Sequence, residues 1–202
     1  MFIERWTFIG IDLGQRRNYT AIAVVERVLE SLPPDEARRT GVARKWTFIV
    51  RTLERLPLGT KYPDVVKRIR QYVQMAIVEK GCTLVVDGTG VGAPVVDLLR
   101  VEHLGCSIAP ILITGGDGPG SKFTDGYESV PRSLLLTTME VLVQQRKLFV
   151  AARGRNAETL RREMLGLKRG SVANTGDGGE YDDLVFAVAL ALWKAKAGLV
   201  MR

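Results

Sequence analysis

Histidine and cysteine are nearly missing from this chain, and with them go several familiar chemistries. Its 202 residues include one histidine, His103, and two cysteines, Cys82 and Cys106. A lone histidine has no partner for a histidine metal site and stands near no obvious nucleophile, so His103 reads as a surface or internally satisfied residue. The cysteines lie beside apolar runs, outside the paired spacings of zinc sites or disulfide frameworks, and read as buried free thiols in a reducing compartment. No apolar stretch approaches the roughly 18 residues of a membrane span. The opening Met1-Phe2-Ile3-Glu4-Arg5-Trp6 meets charge before any apolar core, unlike a secretory signal. Gly-x-x-x-x-Gly-Lys-Ser/Thr is absent as well, which excludes a Walker-type motor. There are no internal repeats. The expectation is a soluble cytosolic protein.

What is present suffices for one self-supporting core. Hydrophobic residues make up 46% of the chain, and its length suits a single domain over residues 1–202. Lys and Arg number 29 against 22 Asp and Glu, a formal charge of +7 that favours an anionic partner such as nucleic acid.

The apolar pattern alternates between strand and helix. Trp6 to Leu13 and Thr20 to Val28 read as a hairpin with a charged tip at Gln15-Arg16-Arg17-Asn18, and Arg44 to Leu53 as a third antiparallel strand. Residues Ser31 to Gly41, with Pro33-Pro34, read as a loop. From Pro63 the apolar positions Val65, Val66, Ile69, Tyr72, Val73 and Ala76 recur at three and four, a helix that stops at Gly81. Thr83 to Val86 is a buried-type strand ending at Asp87, Pro94 to Glu102 a helix, and Ser107 to Ile113 a strand. That order implies parallel pairing with right-handed crossovers. Thr114 to Ser129 is glycine-rich and reads as a mobile loop. Pro131 opens a helix with Leu135, Thr138, Met139 and Leu142 on one face; Leu148 to Ala151 is a short strand. Asn156 reads as the cap of a helix to Lys168, Gly170 to Gly179 as a second glycine-rich link, and Asp182 to Ala197 as a last apolar helix. The fold class is α/β, a central mixed sheet of three antiparallel and then parallel strands flanked by helices.

Acids stand at three places in this pattern where acids are uncommon. Asp12 sits in Ile9-Gly10-Ile11-Asp12-Leu13-Gly14, where a charge is costly unless paired or bound to a cation. Asp87 ends Leu84-Val85-Val86 and precedes Gly88-Thr89-Gly90-Val91-Gly92. Asp182 and Asp183 begin the oily run Leu184 to Leu190. Each has an ordinary explanation: an ion pair of Asp12 with Arg16 or Arg17, a turn at Asp87, a helix cap at the pair. The glycines after Asp87 suit a tight strand-to-helix turn that keeps bulk away from such a site. Together the acids suit two divalent cations about 4 Å apart, which need hard oxygen ligands from several elements.

This arrangement resembles the ribonuclease H-like nucleases, and more closely the nuclease domain of viral terminase large subunits, which cut concatemeric DNA during packaging. The likeness rests on Ile9 to Gly14, on Val85 to Gly92 and on Glu180-Tyr181-Asp182-Asp183-Leu184-Val185-Phe186-Ala187. Val130-Pro131-Arg132 and Arg146 to Val150 add to it. The resemblance implies a two-metal endodeoxyribonuclease with Asp12, Asp87, Asp182 and Asp183 holding Mg²⁺ or Mn²⁺, and Asp12 between both ions. It further implies double-stranded DNA as partner, a packaging ATPase or portal assembly to work with, and a virus- or prophage-encoded protein in the host cytoplasm; no ATPase half lies within these residues, which are either one domain of a longer protein or a stand-alone relative. Tyr181 stands where the family often has a histidine.

Arg153, Arg155, Arg161, Arg162, Lys168 and Arg169 bracket the helix before the second glycine-rich link, and Arg16 and Arg17 flank Asp12. These are the candidate DNA-binding residues; a charged solvent face is the alternative. Three other functions remain open on the same residues: a Holliday-junction resolvase of this fold, a non-catalytic DNA-binding or assembly module, and an actin-like or sugar-kinase-like nucleotide-binding domain, whose first phosphate motif resembles Ile9 to Gly14.

Overall fold

The computed structural model describes residues 3–14, 18–79, 81–90, 92–115, 120–168 and 182–197. Its elements in chain order are β1 (Ile3–Asp12), β2 (Ala21–Ser31), α1 (Pro34–Thr40), β3 (Arg44–Arg55), α2 (Tyr62–Glu79), β4 (Cys82–Asp87), α3 (Gly92–Val101), β5 (Ser107–Thr114), β6 (Lys122–Thr124), β7 (Tyr127–Pro131), α4 (Arg132–Gln144), β8 (Leu148–Val150), α5 (Arg155–Lys168) and α6 (Asp183–Ala197). The strands form one sheet in the order β6-β7-β5-β4-β1-β2-β3-β8. β1, β2 and β3 form an antiparallel meander, while β4 pairs parallel with β1, and β5 parallel with β4. The expected mixed α/β sheet is therefore present.

Side-chain alternation divides the core between the two faces of this sheet. Ile9, Ile11, Leu13, Leu84 and Val86 pack with α2 and α3. Phe8, Val85, Ala21 and Ala23 face the other way, where α6 lies, covered in turn by α4 and α5. Caught between sheet and helices, α6 is buried at every position from Asp183 to Leu192, which accounts for a helix that is apolar on all sides. Gly10 is what lets it settle so close. A Cβ there would stand 1.9 Å from the carbonyl oxygen of Ala187.

Three local expectations are corrected. The Ser31 to Gly41 loop contains α1: proline in the first turn, Asp35 and Glu36 at its start, Arg38 and Arg39 at its end and a left-handed Gly41 all suit a short helix, although it buries nothing. Within Thr114 to Ser129, β6 and β7 form an antiparallel hairpin. Its turn is Asp125-Gly126, both at positive φ (51° and 79°), a pairing that favours tight hairpins. The hairpin then joins the sheet through β7 alongside β5. Asn156 lies within α5 rather than capping it, and its side-chain amide donates to the Leu53 carbonyl oxygen at 3.0 Å. The tip at Arg16 and Arg17, the link from Gly170 to Gly179, Tyr181 and Arg169 lie outside the described residues.

Candidate metal centre

Strand parity aims the first two acids at the same place. Asp12 shares the face of Phe8 and Gly10, and Asp87 that of Val85, so both carboxylates leave the sheet on the α6 side. Ile11 pairs with Val86 in the parallel ladder, which makes Asp12 and Asp87 neighbours at the strands' carboxyl ends. The start of α6 brings Asp182 and Asp183 to the same spot. All four line one cavity of about 350 Å³, together with Asn18, Thr89 and Arg132.

Each carboxylate is held by a different anchor. Asp87 Oδ1 accepts the Thr89 amide at 2.8 Å, and the Thr89 hydroxyl accepts the Ile113 amide at 2.9 Å, so the loop after β4 is tied to β5. Gly92 admits that loop, since a Cβ there would lie 2.0 Å from the Asp87 carbonyl oxygen. The Asp182 carbonyl accepts the first α6 bond, from the Phe186 amide, while its carboxylate is paired with Arg132, whose guanidinium lies 4.0 Å from the Phe186 ring centroid. Asp183, only 3% exposed, has Oδ2 3.1 Å from Arg55 Nη2. That is an ion pair without hydrogen-bond geometry, and Oδ2 accepts no hydrogen bond.

Arg55 also binds Glu163 of α5 at 2.5 Å and lies over the Tyr19 ring. Glu163 in turn accepts the Val185 amide at 3.0 Å. A first-turn amide of α6 is thus satisfied from another helix instead of by its own cap. Arg55, Glu163 and Arg132 carried no assigned role in the sequence, and their partners lie far away along the chain.

The electrostatics of the cluster are those of carboxylates forced together. Burial raises the Asp12 carboxyl well above the usual range, and the charges of Asp87, Asp183 and Asp182 raise it further, opposed by Arg132. Burial also raises Asp87, against the Thr89 hydrogen bonds, and lifts Asp183 to about 6 despite Arg55. A cation of oxygen preference fits this donor set: four hard carboxylates, one with an oxygen that accepts no hydrogen bond, around a common cavity. Among the described residues, however, no three acidic, histidine or cysteine side chains already form a metal cage. Asp182 and Asp183 are engaged by arginines instead.

Four of the candidate DNA-binding arginines are described, and they lie elsewhere. Arg153, Arg155, Arg161 and Arg162 are exposed on or beside α5, and none lines the cavity. Arg161 pairs with Glu158 on the same helix at 3.5 Å. Lys168 ends α5. Among the described residues, the cations that approach the acids are Arg132 and Arg55.

The same fold is found in solved proteins. Two crystal structures of the large terminase nuclease from thermophilic phage G20c match this chain, one with bound magnesium and one with bound zinc. They superpose with TM-scores of 0.58 and 0.55 at 19% and 18% identity, covering 95% of this chain and 82% of the other. No protein-family model matches the chain, and no curated protein matches it. The chain accordingly has the ribonuclease H-like fold of large terminase nucleases. Among the described residues no helix is long and apolar enough to cross a membrane.

Proposed function

We propose that this chain is a metal-dependent endodeoxyribonuclease of the terminase kind. The observation that carries the reading is the convergence of Asp12, Asp87, Asp182 and Asp183, from three separate elements, on one cavity at the strands' carboxyl ends. Support comes from the fold shared with metal-bound terminase nucleases. Asp12 and Asp87 would hold Mg²⁺ or Mn²⁺ with the Asp182-Asp183 pair, Asp12 between two ions. Bound there, the ions would supply an activated water and stabilise the leaving 3′-oxygen.

The chain's own residues then have distinct tasks. Asp12 and Asp87 are fixed by the sheet, whereas Asp183 is oriented by Arg55 and Glu163. Arg132, partly exposed at the cavity wall, would be free to meet a backbone phosphate if Asp182 held a cation. The exposed α5 arginines, with Arg16, Arg17, Lys168 and Arg169, would track double-stranded DNA without reading its sequence. On this reading residues 1–202 would act as one nuclease domain working with a packaging ATPase or portal assembly in the cytoplasm of an infected host.

The test is cleavage of supercoiled plasmid with Mg²⁺, Mn²⁺ or chelator, beside Asp12→Asn and Asp87→Asn proteins of verified fold. Metal-dependent nicking abolished in both variants is expected. Absence of cutting with either metal would refute independent catalysis, and preference for four-way junctions over linear duplex would move the assignment to a resolvase.

A further inference from the structure

The two cysteines face each other at the opposite end of β4 from Asp87. Thr83 pairs with Ser107 in the parallel β4–β5 ladder, so Cys82 and Cys106 are the next positions of the same register. Each follows a glycine in the left-handed region, Gly81 at φ 84° and Gly105 at φ 73°, so both strands begin with the same backbone turn. Both side chains leave on the α2/α3 face, where they pack against the same apolar cluster. Both are half-buried, and both line an open cleft of about 520 Å³ with Trp6, Thr7 and Ser107. Neighbouring strands run about 4.8 Å apart, inside the roughly 4.4–6.8 Å between Cα atoms that a disulfide accepts.

We propose that Cys82 and Cys106 form a redox-active dithiol, which closes to an intramolecular disulfide by exchange with a small disulfide of the glutathione type entering this cleft. The neighbouring Cys82 side chain lowers the Cys106 thiol, while the Cys106 side chain and burial raise Cys82, which favours Cys106 as the attacking group. Its thiolate attacks one sulfur of the incoming disulfide, breaks that S–S bond and releases a thiolate, which takes up a proton. Cys82 then loses its proton to solvent, and its sulfur attacks Cys106 Sγ, expelling the second thiolate, which is protonated in turn. The incoming disulfide gains two electrons and becomes two thiols, and the protein dithiol loses two and becomes the disulfide. The site lies about 16 Å along β4 from Asp87, by the rise of an extended strand. It is independent of any chemistry at the carboxylates.

The test incubates the folded protein with oxidised glutathione, quenches with an alkylating agent and measures intact mass. Wild-type protein is expected to lose two hydrogens, retain no glutathione and take up no alkyl group. Cys82→Ser should stop as a stable mixed disulfide on Cys106, and Cys106→Ser should react at least tenfold more slowly. Oxidised wild-type protein should also unfold at higher denaturant than reduced protein. The proposal is overturned if both thiols remain alkylatable under conditions that fully oxidise a free dithiol, if wild-type protein accumulates the mixed disulfide, or if the bond forms between chains.

Discussion

Gly10→Ala is the substitution that tests how the acidic cluster is assembled. The added methyl would stand 1.9 Å from the Ala187 carbonyl oxygen and 2.9 Å from the Ala191 amide nitrogen, both backbone atoms of α6. Ordinary contact begins at about 3.4 Å, so the helix must retreat by about 1.5 Å or tilt away from β1. Neither neighbour is the end of a flexible side chain. Overpacking a close-packed core costs typically about 1–3 kcal/mol, and a clash with helix backbone belongs at the upper end, near 3 kcal/mol. For a chain of this size that corresponds to roughly 6–12 °C in melting temperature. Because α6 carries Asp182 and Asp183 while β1 carries Asp12, the same displacement separates the acids, and cleavage should fall by far more than the folded fraction. Calorimetry beside plasmid nicking checks both effects, with Gly120→Ala, whose added methyl meets nothing within 4 Å, as control. A Gly10→Ala protein melting within about 2 °C of wild type would refute the idea that this close approach positions α6.

Other expectations follow from single contacts. Arg27, 8% exposed, lies 4.5 Å and 5.0 Å from the Trp6 and Trp46 ring centroids and donates to the Ala195 carbonyl oxygen at 2.8 Å; Arg27→Met should cost about 3 kcal/mol in urea unfolding and alter tryptophan fluorescence. Burial lifts the Glu163 carboxyl from an ordinary 4.5 to about 7 in spite of Arg55. Its contribution to stability is therefore fully present below pH 4.5 and lost as pH rises through 7, about 3 kcal/mol in all, and Glu163→Gln should flatten unfolding midpoints measured in chelator across that window. Arg132→Gln removes a positive charge paired with Asp182; if the cavity takes a divalent cation, half-maximal thermal stabilisation should need about fivefold less Mg²⁺, whereas an unchanged titration would place Asp182 outside the site.

The carboxylates were legible because each breaks a local rule. An acid in Ile9 to Leu13, another closing Leu84 to Val86 and a pair opening an oily helix all stand where burial penalises charge, and the structure brings all four to one cavity. Arg55, Glu163 and Arg132 break no such rule. Arginine and glutamate are ordinary at the end of β3, within α5 and at the start of α4, and their roles come from partners such as Glu163 and Asp182, 108 and 50 residues away from Arg55 and Arg132. The β6–β7 hairpin was legible in principle, since Asp125-Gly126 is a strong turn signal, but five glycines in the stretch from Thr114 to Ser129 read as a loop. Composition described the segment, and two residues determined its shape.

The four acids are not held equally. Asp12 and Asp87 belong to neighbouring strands, and ladder hydrogen bonds fix their relation. The Asp182-Asp183 pair reaches them only on α6, whose place depends on the Gly10 contact, the Arg55 ion pair and the Glu163 bond to the Val185 amide. Two of these three ties run through one buried carboxylate of α5, because Glu163 also holds Arg55. α5 therefore supports the cavity from behind while presenting Arg155, Arg161 and Arg162 to solvent on its exposed face. The strand-borne half of the cluster is thus set by the sheet ladder, and the helix-borne half is set through Glu163 of α5.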